Sequence, residues 1–221
     1  MNITSSRRFD LIAFDWDGTL FDSTASIVTS LQEAVVDVGG ARPSRERASY
    51  VIGLALGEAL RQVAPDVPAE RYDELGNRYR YHFARHLNDI TLFDGVVELL
   101  QDLKRQGYLL TVATGKSRRG LQEALEIVGL TQLFDATRTA DQTAGKPDPL
   151  MLHELMQELN VPAERTLMVG DTTHDLQLAV NAGCPSVAVS YGAHGSEGFA
   201  QYAPLFVADS VASLHQWLLS A

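Results

Sequence analysis

Four short, continuous apolar runs constrain the fold of this chain more than any other feature. They cover residues 9–14, 108–113, 166–169 and 186–189. Continuous apolar runs, unlike alternating ones, are typical of strands buried on both faces of a parallel sheet. Between the runs, residues 96–103, 121–128 and 150–159 repeat apolar side chains at steps of three and four, which predicts helices. The sequence therefore predicts an α/β fold with a parallel sheet, a further strand near 205–207 and a last helix from Ser210.

The alternation of strands and helices is interrupted after the first run. Roughly 75 residues separate it from the resumed pattern, whereas a βαβ unit needs only ~30. The intervening stretch has helical periodicity over residues 23–38, 45–52, 57–63 and 69–86. We predict a helical domain at residues 22–92, inserted into an α/β core formed by residues 1–21 and 93–221. The alternative is a pair of extra helices packed on the sheet.

Composition excludes several other classes of protein. A chain of 221 residues with 45% apolar and 21% charged residues is typical of a globular protein, long enough for one sizeable core or for one core plus a smaller insertion. Its net charge of -10 argues against a nucleic-acid-binding surface. The single cysteine, Cys184, cannot form an intramolecular disulfide. No apolar run reaches the ~20 residues that cross a bilayer, and no signal peptide is evident, so we expect a cytoplasmic protein without membrane contact.

Polar residues follow the apolar runs at the points where the predicted strands end. Ligands of an open α/β sheet bind at the carboxyl ends of its strands. The side chains expected to converge there are four carboxylates, one hydroxyl and one ammonium: Asp15, Asp17, Asp171, Asp175, Thr114 and Lys146. Lys146 is one of only three lysines, and it lies in a Gly-Lys-Pro turn with no helix surface to occupy. Its charge is therefore better explained by a site than by solvation.

This set of side chains predicts phosphoryl chemistry. Four carboxylates repel one another, so the site needs a cation, and oxygen ligands favour Mg²⁺. A magnesium ion and a lysine together can neutralise a phosphoryl group. One aspartate can then attack phosphorus to form an aspartyl-phosphate, while a second serves as general acid and then general base.

Four ordered motifs resemble those of the haloacid dehalogenase superfamily. They are FDWDGTLFDS at residues 14–23, TVATG at 111–115, GKPDP at 145–149 and GDTTHD at 170–175. The resemblance covers essentially the whole chain and is strongest to the phosphatase branch with a helical cap, among bacterial phosphoglycolate-phosphatase-like proteins. It implies a Rossmann-like parallel sheet core, a helical cap inserted after the first strand, and Mg²⁺ as cofactor.

The resemblance also implies a role for each matching residue. Asp15 would be the nucleophile and a metal ligand, and Asp17 the general acid and base, with its main-chain carbonyl on the metal. Thr114 and the amide of Gly115 would bind the transferring phosphoryl group, and Lys146 would neutralise it. Asp171 would bind the metal, and Asp175 would hold a metal-bound water or Lys146. Residues 53–57 lie where the family has its cap specificity loop.

Departures from the family pattern are informative. Thr-Gly stands at residues 114–115 where the family often has Thr-Asn. The residues that could supply replacement charge follow at once: Lys116, Arg118 and Arg119. The aspartate at position 17 argues against carbon–halogen cleavage, since the dehalogenases lack it. Residues 22–92 contain no lysine, which argues against the phosphonate-cleaving branch that needs a cap lysine.

The function predicted first is hydrolysis of a small phosphorylated metabolite, with phosphoglycolate as the leading substrate by resemblance. A sugar phosphomutase similar to beta-phosphoglucomutase and an inorganic pyrophosphatase remain alternatives within the superfamily. A non-catalytic phospho-acceptor signalling domain is the alternative from another class. The expected partner is the small substrate alone, with the chain a monomer or homodimer. We expect His174 to be solvated, and Asp22 with Ser23 to cap the next helix.

Overall fold

A parallel six-stranded sheet forms the centre of the molecule in a computed structural model, which describes residues 7–221. The strands follow the order β3-β2-β1-β4-β5-β6, and every neighbouring pair is parallel. Their bounds are β1 Leu11–Phe14, β2 Leu109–Thr114, β3 Ala136–Thr139, β4 Thr166–Gly170, β5 Ser186–Val189 and β6 Val207–Ala208. The predicted α/β class with a parallel sheet is confirmed.

Five helices lie between β1 and β2, and the first four of them are α1 Thr24–Asp37, α2 Arg45–Tyr50, α3 Leu56–Val63 and α4 Tyr72–His86. The other helices are α5 Val96–Arg105, α6 Arg118–Ile127, α7 Leu150–Leu159, α8 Thr173–Ala182 and α9 Val211–Ser220. Across residues 7–221, none of the helices has the length and apolar character that crossing a membrane requires.

The first four helices, α1 to α4, share an apolar cluster of their own. Leu31 of α1, Leu60 of α3 and Leu75 of α4 are buried in it together. A second, larger cluster joins the sheet to α5, α6 and α9. Because the first four helices bury their apolar faces mainly against one another, they leave a space between themselves and the carboxyl edge of the sheet.

Two strands depart from the prediction. The strand β3 was not predicted, and three of its four residues are only partly buried at the edge of the sheet. An edge strand with one solvated side needs no continuous apolar run, so residues 136–139 carry no such signal. The strand β6 is shorter and later than predicted, at Val207–Ala208.

Candidate active site

Three buried carboxylates meet at the carboxyl edge of the sheet. Asp15, Asp171 and Asp175 each place one oxygen within 4.8 Å of the others. The ammonium of Lys146 donates to Asp15 Oδ1 at 2.6 Å and to Asp175 Oδ1 at 2.5 Å. All four side chains are buried. When all three carboxylates are ionised, one ammonium does not compensate their charge, and the cluster keeps net negative charge away from water.

The protonation of these groups follows from burial and from their mutual charges. Burial raises the pKa of Asp15 to about 7; the charges of Asp175 and Asp17 add to this effect, and Lys146 opposes it. Burial and the charges of Asp15 and Asp175 raise the pKa of Asp171. Burial alone would lower the pKa of Lys146, but Asp15 and Asp175 outweigh it and raise that pKa. Asp15 Oδ2 has no hydrogen-bond partner among the described residues.

The turn after β1 brings its loop against Asp171. Gly18 has a φ of 85°, and a Cβ placed on it would lie 2.2 Å from Asp171 Oδ2, so only glycine fits there. The next residue, Thr19, donates from its hydroxyl to Asp171 Oδ1 at 3.0 Å. The Ala193 amide donates to Asp171 Oδ2 at 2.7 Å. Asp171 is thus held from both sides, by the β1 loop and by the loop after β5.

The first turn of α8 orients Asp175. The Thr172 amide donates to Asp175 Oδ2 at 3.0 Å, while the Asp175 amide donates to the Thr172 hydroxyl at 3.3 Å. This reciprocal capping box satisfies two amides at the start of the helix. It also fixes one oxygen of Asp175, which leaves the other to accept from Lys146.

Asp17 lies outside the cluster of three carboxylates. Its Oδ1 accepts a hydrogen bond from the Ser23 hydroxyl at 2.7 Å. The ammonium of Lys116 lies 3.1 Å from its Oδ2, and both side chains are only 10% exposed. The prediction that Asp22 and Ser23 cap α1 is wrong: the Ser23 hydroxyl donates to Asp17, and no side chain caps α1.

Thr114 and Gly115 lie where β2 ends. The Thr114 side chain is buried, and its hydroxyl accepts from the Lys116 amide at 3.3 Å. A Cβ on Gly115 would lie 2.4 Å from the Leu54 carbonyl oxygen and 2.5 Å from that of Gly53. The departure from Thr-Asn therefore has a steric reason, because the backbone of residues 53–54 occupies the space of a side chain.

A cavity of 670 Å³ lies between the sheet edge and the first four helices. The sheet side contributes Asp15, Asp17, Thr114, Gly115 and Lys116, and the helical side contributes Ile52, Leu54, Tyr79 and Phe83, among others. The sequence did not identify Tyr79 and Phe83 as site residues. The only available signal was an aromatic pair four residues apart on a predicted helix, which is equally typical of core packing.

His174 contacts a helix of the inserted segment. Its Nε2 donates to the Tyr50 carbonyl at 2.9 Å, and the Nε2 of His194 donates to the same oxygen at 3.0 Å. The prediction of a solvated His174 is therefore wrong, because the carbonyl and the ring of Tyr50 contact it. Nothing in the local sequence around His174 indicated this contact.

The fold and the aspartate-rich edge define a class of hydrolase, and a family model agrees. The model for haloacid dehalogenase-like hydrolases matches residues 12–189. The chain belongs to this family.

Particular relatives extend the agreement over nearly the whole chain. A probable phosphatase IndB of Dickeya dadantii is 37% identical, over 90% of this chain and 89% of its own length. A phosphoglycolate phosphatase of Aliivibrio fischeri is 35% identical, over 90% of this chain and 92% of its own length. The crystal structure of a predicted phosphoglycolate phosphatase from Haemophilus somnus is similar with a TM-score of 0.84 and 26% identity, covering 96% of this chain and 99% of that one. The predicted family and enzyme class, a hydrolase acting on phosphate esters, are confirmed.

Proposed function

We propose that this chain is a Mg²⁺-dependent phosphatase that hydrolyses a small phosphorylated metabolite through an aspartyl-phosphate on Asp15. The observation that carries the proposal is the buried cluster of Asp15, Asp171 and Asp175 with Lys146 as its ammonium partner. A buried excess of negative charge is unfavourable unless a cation or a protonation event compensates it. The free Oδ2 of Asp15 is the atom available to attack.

The donor set fits Mg²⁺. Its side chains offer only oxygen atoms, which are the ligands that this ion prefers. Asp15, Asp171 and the main-chain carbonyl of Asp17 would hold it, with Asp175 acting through a water or through Lys146. When bound, the ion supplies positive charge that neutralises the carboxylates and the phosphoryl oxygens.

The chain's own residues then divide the reaction between them. Asp15 Oδ2 attacks phosphorus, the bond from phosphorus to the ester oxygen breaks, and Asp17 gives its proton to the leaving oxygen. Asp17 next takes a proton from a water molecule, and the water oxygen attacks phosphorus. The bond between phosphorus and Asp15 Oδ2 breaks, which releases phosphate and regenerates Asp15. Lys146, the Thr114 hydroxyl and the Gly115 amide would bind the phosphoryl oxygens throughout.

The inserted helices would serve as a cap. We propose that residues 22–92 close over the substrate and exclude bulk water from the aspartates, which strengthens every charge interaction within the site. The close contact of residues 53–54 with Gly115 supports a closed arrangement as one state of this cap. The predicted cytoplasmic location and the monomer or homodimer state stay predictions.

Phosphate release from a panel of esters and pyrophosphate tests the proposal. Wild type with Mg²⁺ should turn over at least one substrate, and chelation of the metal or Asp15→Asn should remove the activity. The matched control is Asp22→Asn, since Asp22 is an exposed carboxylate of the same motif. Conversion of sugar phosphates without release of phosphate would instead support the mutase. Full activity of Asp15→Asn would refute the assignment of the nucleophile.

A further inference from the structure

The cavity beside the aspartates is larger than a two-carbon phosphate requires. At roughly 30 Å³ per water molecule, its 670 Å³ offers room for about 20 water-sized groups. Phosphoglycolate or pyrophosphate would fill less than half of that space. A substrate that excludes water from this cavity must therefore carry a larger organic part, provided that the proposed phosphatase function holds, on which this inference rests.

The walls of the cavity favour an uncharged organic part. Ile27, Leu31, Ile52, Leu54 and Leu56 are among the apolar residues that line it. Burial of apolar ligand surface against such a wall is favourable, at about 25 cal/mol per Å². An acidic substituent on the substrate would instead need a cation on the same wall.

The cations that line the cavity within residues 7–221 are already engaged or exposed. Lys116 lies 3.1 Å from Asp17, and the largely exposed Arg119 pairs with Glu123 at 2.8 Å. The exposed Arg80 donates to Asn77 at 3.1 Å. Two acids, Glu123 and Asp141, line the cavity as well. This balance disfavours a second acidic group such as the carboxylate of phosphoglycolate or the second phosphate of pyrophosphate.

One wall of the cavity is aromatic and begins beside Asp17. The Lys116 ammonium that contacts Asp17 lies 4.7 Å from the centre of the Phe83 ring. The Phe83 and Tyr79 rings are stacked one helical turn apart on α4, with centroids 5.9 Å apart and planes inclined by 19°. Burial and the charge of Asp17 raise the pKa of the Tyr79 hydroxyl, which agrees with a ring close to that carboxylate. A leaving group that takes a proton from Asp17 would thus emerge against these two rings.

We infer that the substrate is a phosphate monoester whose alcohol part is planar, uncharged and larger than two carbons, and that this part packs against the wall formed by Tyr79 and Phe83. Planar rings stack favourably on aromatic side chains, beyond the gain from buried area. Tyr79 and Phe83 are accordingly specificity-determining residues, whereas the phosphoryl group is held by the sheet edge.

Benzyl phosphate and ethyl phosphate provide a matched pair of probes, because both have unactivated alkyl leaving groups and differ in the ring. We expect kcat/KM with Mg²⁺ to be at least about tenfold higher for benzyl phosphate than for ethyl phosphate, phosphoglycolate or pyrophosphate. Benzylphosphonate, which cannot be hydrolysed at its carbon–phosphorus bond by this route, should inhibit more strongly than ethylphosphonate. That inhibition reports binding separately from chemistry.

Variants of the aromatic wall complete the test. Phe83→Leu and Tyr79→Leu keep an apolar side chain but remove the ring, and each should lower the ratio of benzyl to ethyl phosphate activity at least about threefold. Tyr81→Leu is the control, since Tyr81 lies on the same helix but is 51% exposed and does not line the cavity. It should leave the ratio unchanged.

The outcomes separate this inference from the proposed function. The inference is overturned if Mg²⁺-dependent hydrolysis prefers phosphoglycolate or pyrophosphate. It is also overturned if Phe83→Leu and Tyr79→Leu leave the ratio of benzyl to ethyl phosphate activity unchanged. Either result still supports the proposed phosphatase function. If no ester and no pyrophosphate is hydrolysed, the proposed function fails and the inference fails with it.

Discussion

Asp15 combines complete burial with an oxygen that has no partner in the described part of the chain. Its pKa is raised to about 7 from an ordinary value of 3.8, so between these values the folded chain binds a proton that the unfolded chain releases. The stabilising contribution of this protonation is present below pH 3.8 and is lost as the pH rises through about 7. Above that pH Asp15 is ionised, and its added negative charge favours binding of a cation.

The loss of the Asp15 proton as the pH rises through about 7 leads to a prediction for metal binding. Mg²⁺ should raise the unfolding temperature by at least about 3 °C more at pH 8 than at pH 6, because at pH 6 it competes with protons for the carboxylates. Asp15→Asn should reduce that difference, and the remainder would come from Asp171, whose pKa is also raised. Thermal unfolding with and without Mg²⁺ at the two pH values measures this. Equal increases in the unfolding temperature at the two pH values would contradict the prediction.

Gly115 offers a second prediction at the scale of one residue. In Gly115→Ala the new methyl would overlap the carbonyl oxygens of residues 53–54, so the loop must move away from the site. Overpacking of this kind costs about 1–3 kcal/mol. We expect kcat/KM to fall at least about tenfold, with a loss of stability within that range. Steady-state kinetics and thermal unfolding measure the two effects.

Gly76→Ala is the matched control for that substitution. Its methyl would meet Arg80 and Leu60 at ordinary contact distances of 3.4 and 3.6 Å, in the interior of α4. Alanine is favoured over glycine there by about 1 kcal/mol. Its activity should match wild type and its stability should rise. Equal losses in the two variants would show that the contact at Gly115 has no special effect on activity.

At the scale of elements, prediction succeeded where burial on both faces imposes a continuous apolar run. Such runs mark β1, β2, β4 and β5, which lie in the interior of the sheet. The strand β3 pairs with β2 along four residues, yet its side chains Thr137 and Arg138 are polar and only partly buried. Its place is set by backbone hydrogen bonds to a neighbour distant in sequence, and no local pattern records that.

The end of α2 carries a contact that joins the inserted helices to the core. The last carbonyls of a helix lack partners within it, and the Tyr50 carbonyl receives hydrogen bonds from both His174 and His194. The Tyr50 and His194 rings are stacked, with centroids 5.2 Å apart and planes inclined by 3°. His194 Nδ1 also accepts from the Thr173 amide at 3.1 Å. Both nitrogens of the neutral His194 ring are therefore hydrogen-bonded. A proton on Nδ1 would break the hydrogen bond from the Thr173 amide.

A pH-dependent stability follows from this geometry. Burial lowers the pKa of His194 from 6.5, with the charge of His174 adding and the Tyr50 carbonyl and Asp175 opposing. The contribution of the neutral ring is therefore present above pH 6.5 and is lost as the pH falls through the folded pKa. His194→Phe keeps a ring but removes both hydrogen bonds, and it should cost about 1–2 kcal/mol at pH 8 and less at pH 5.

Urea unfolding at pH 5, 6, 7 and 8 measures this difference between wild type and His194→Phe. Comparison within one pH cancels the titration of the buried aspartates, which both proteins share. The control is His153→Phe, because His153 is exposed on α7. A difference that stays constant from pH 8 to pH 5 would show that protonation of His194 does not affect the contact.

At the scale of the whole molecule, the sequence indicated which groups meet but not how they pair. The strand ends predicted that Asp15, Asp171, Asp175 and Lys146 lie together, because parallel strands share a carboxyl edge. The partner of Asp17 and the aromatic wall were not predictable. The aromatic wall depends on where α4 packs over the sheet, which is decided by contacts among the inserted helices. Sequence motifs report the chemistry of the core, whereas the geometry of the cavity arises from tertiary packing.

The positions of the lysines support a last prediction. The chain has three lysines, and two of them, Lys116 and Lys146, contact the aspartates at the sheet edge. Lys116 also lies against Phe83, so it connects Asp17 with the inserted helices. Lys116→Met keeps the length of the side chain but leaves Asp17 with Ser23 as its remaining partner. Loss of one charged partner of a buried carboxylate costs about 1–3 kcal/mol, so kcat/KM should fall about tenfold to a hundredfold.

Lys104→Met provides the matched control for Lys116→Met. It removes the same charge, but Lys104 pairs with Asp135 at 2.8 Å on a partly exposed surface, where an ion pair contributes little. Its kcat/KM should stay within about twofold of wild type, so a difference between the variants cannot come from net charge alone. If both variants lose activity equally, the site responds to the total charge of the molecule. If only Lys116→Met does, the contact between Asp17, Lys116 and Phe83 is what couples the packing of the inserted helices to the chemistry at the sheet edge.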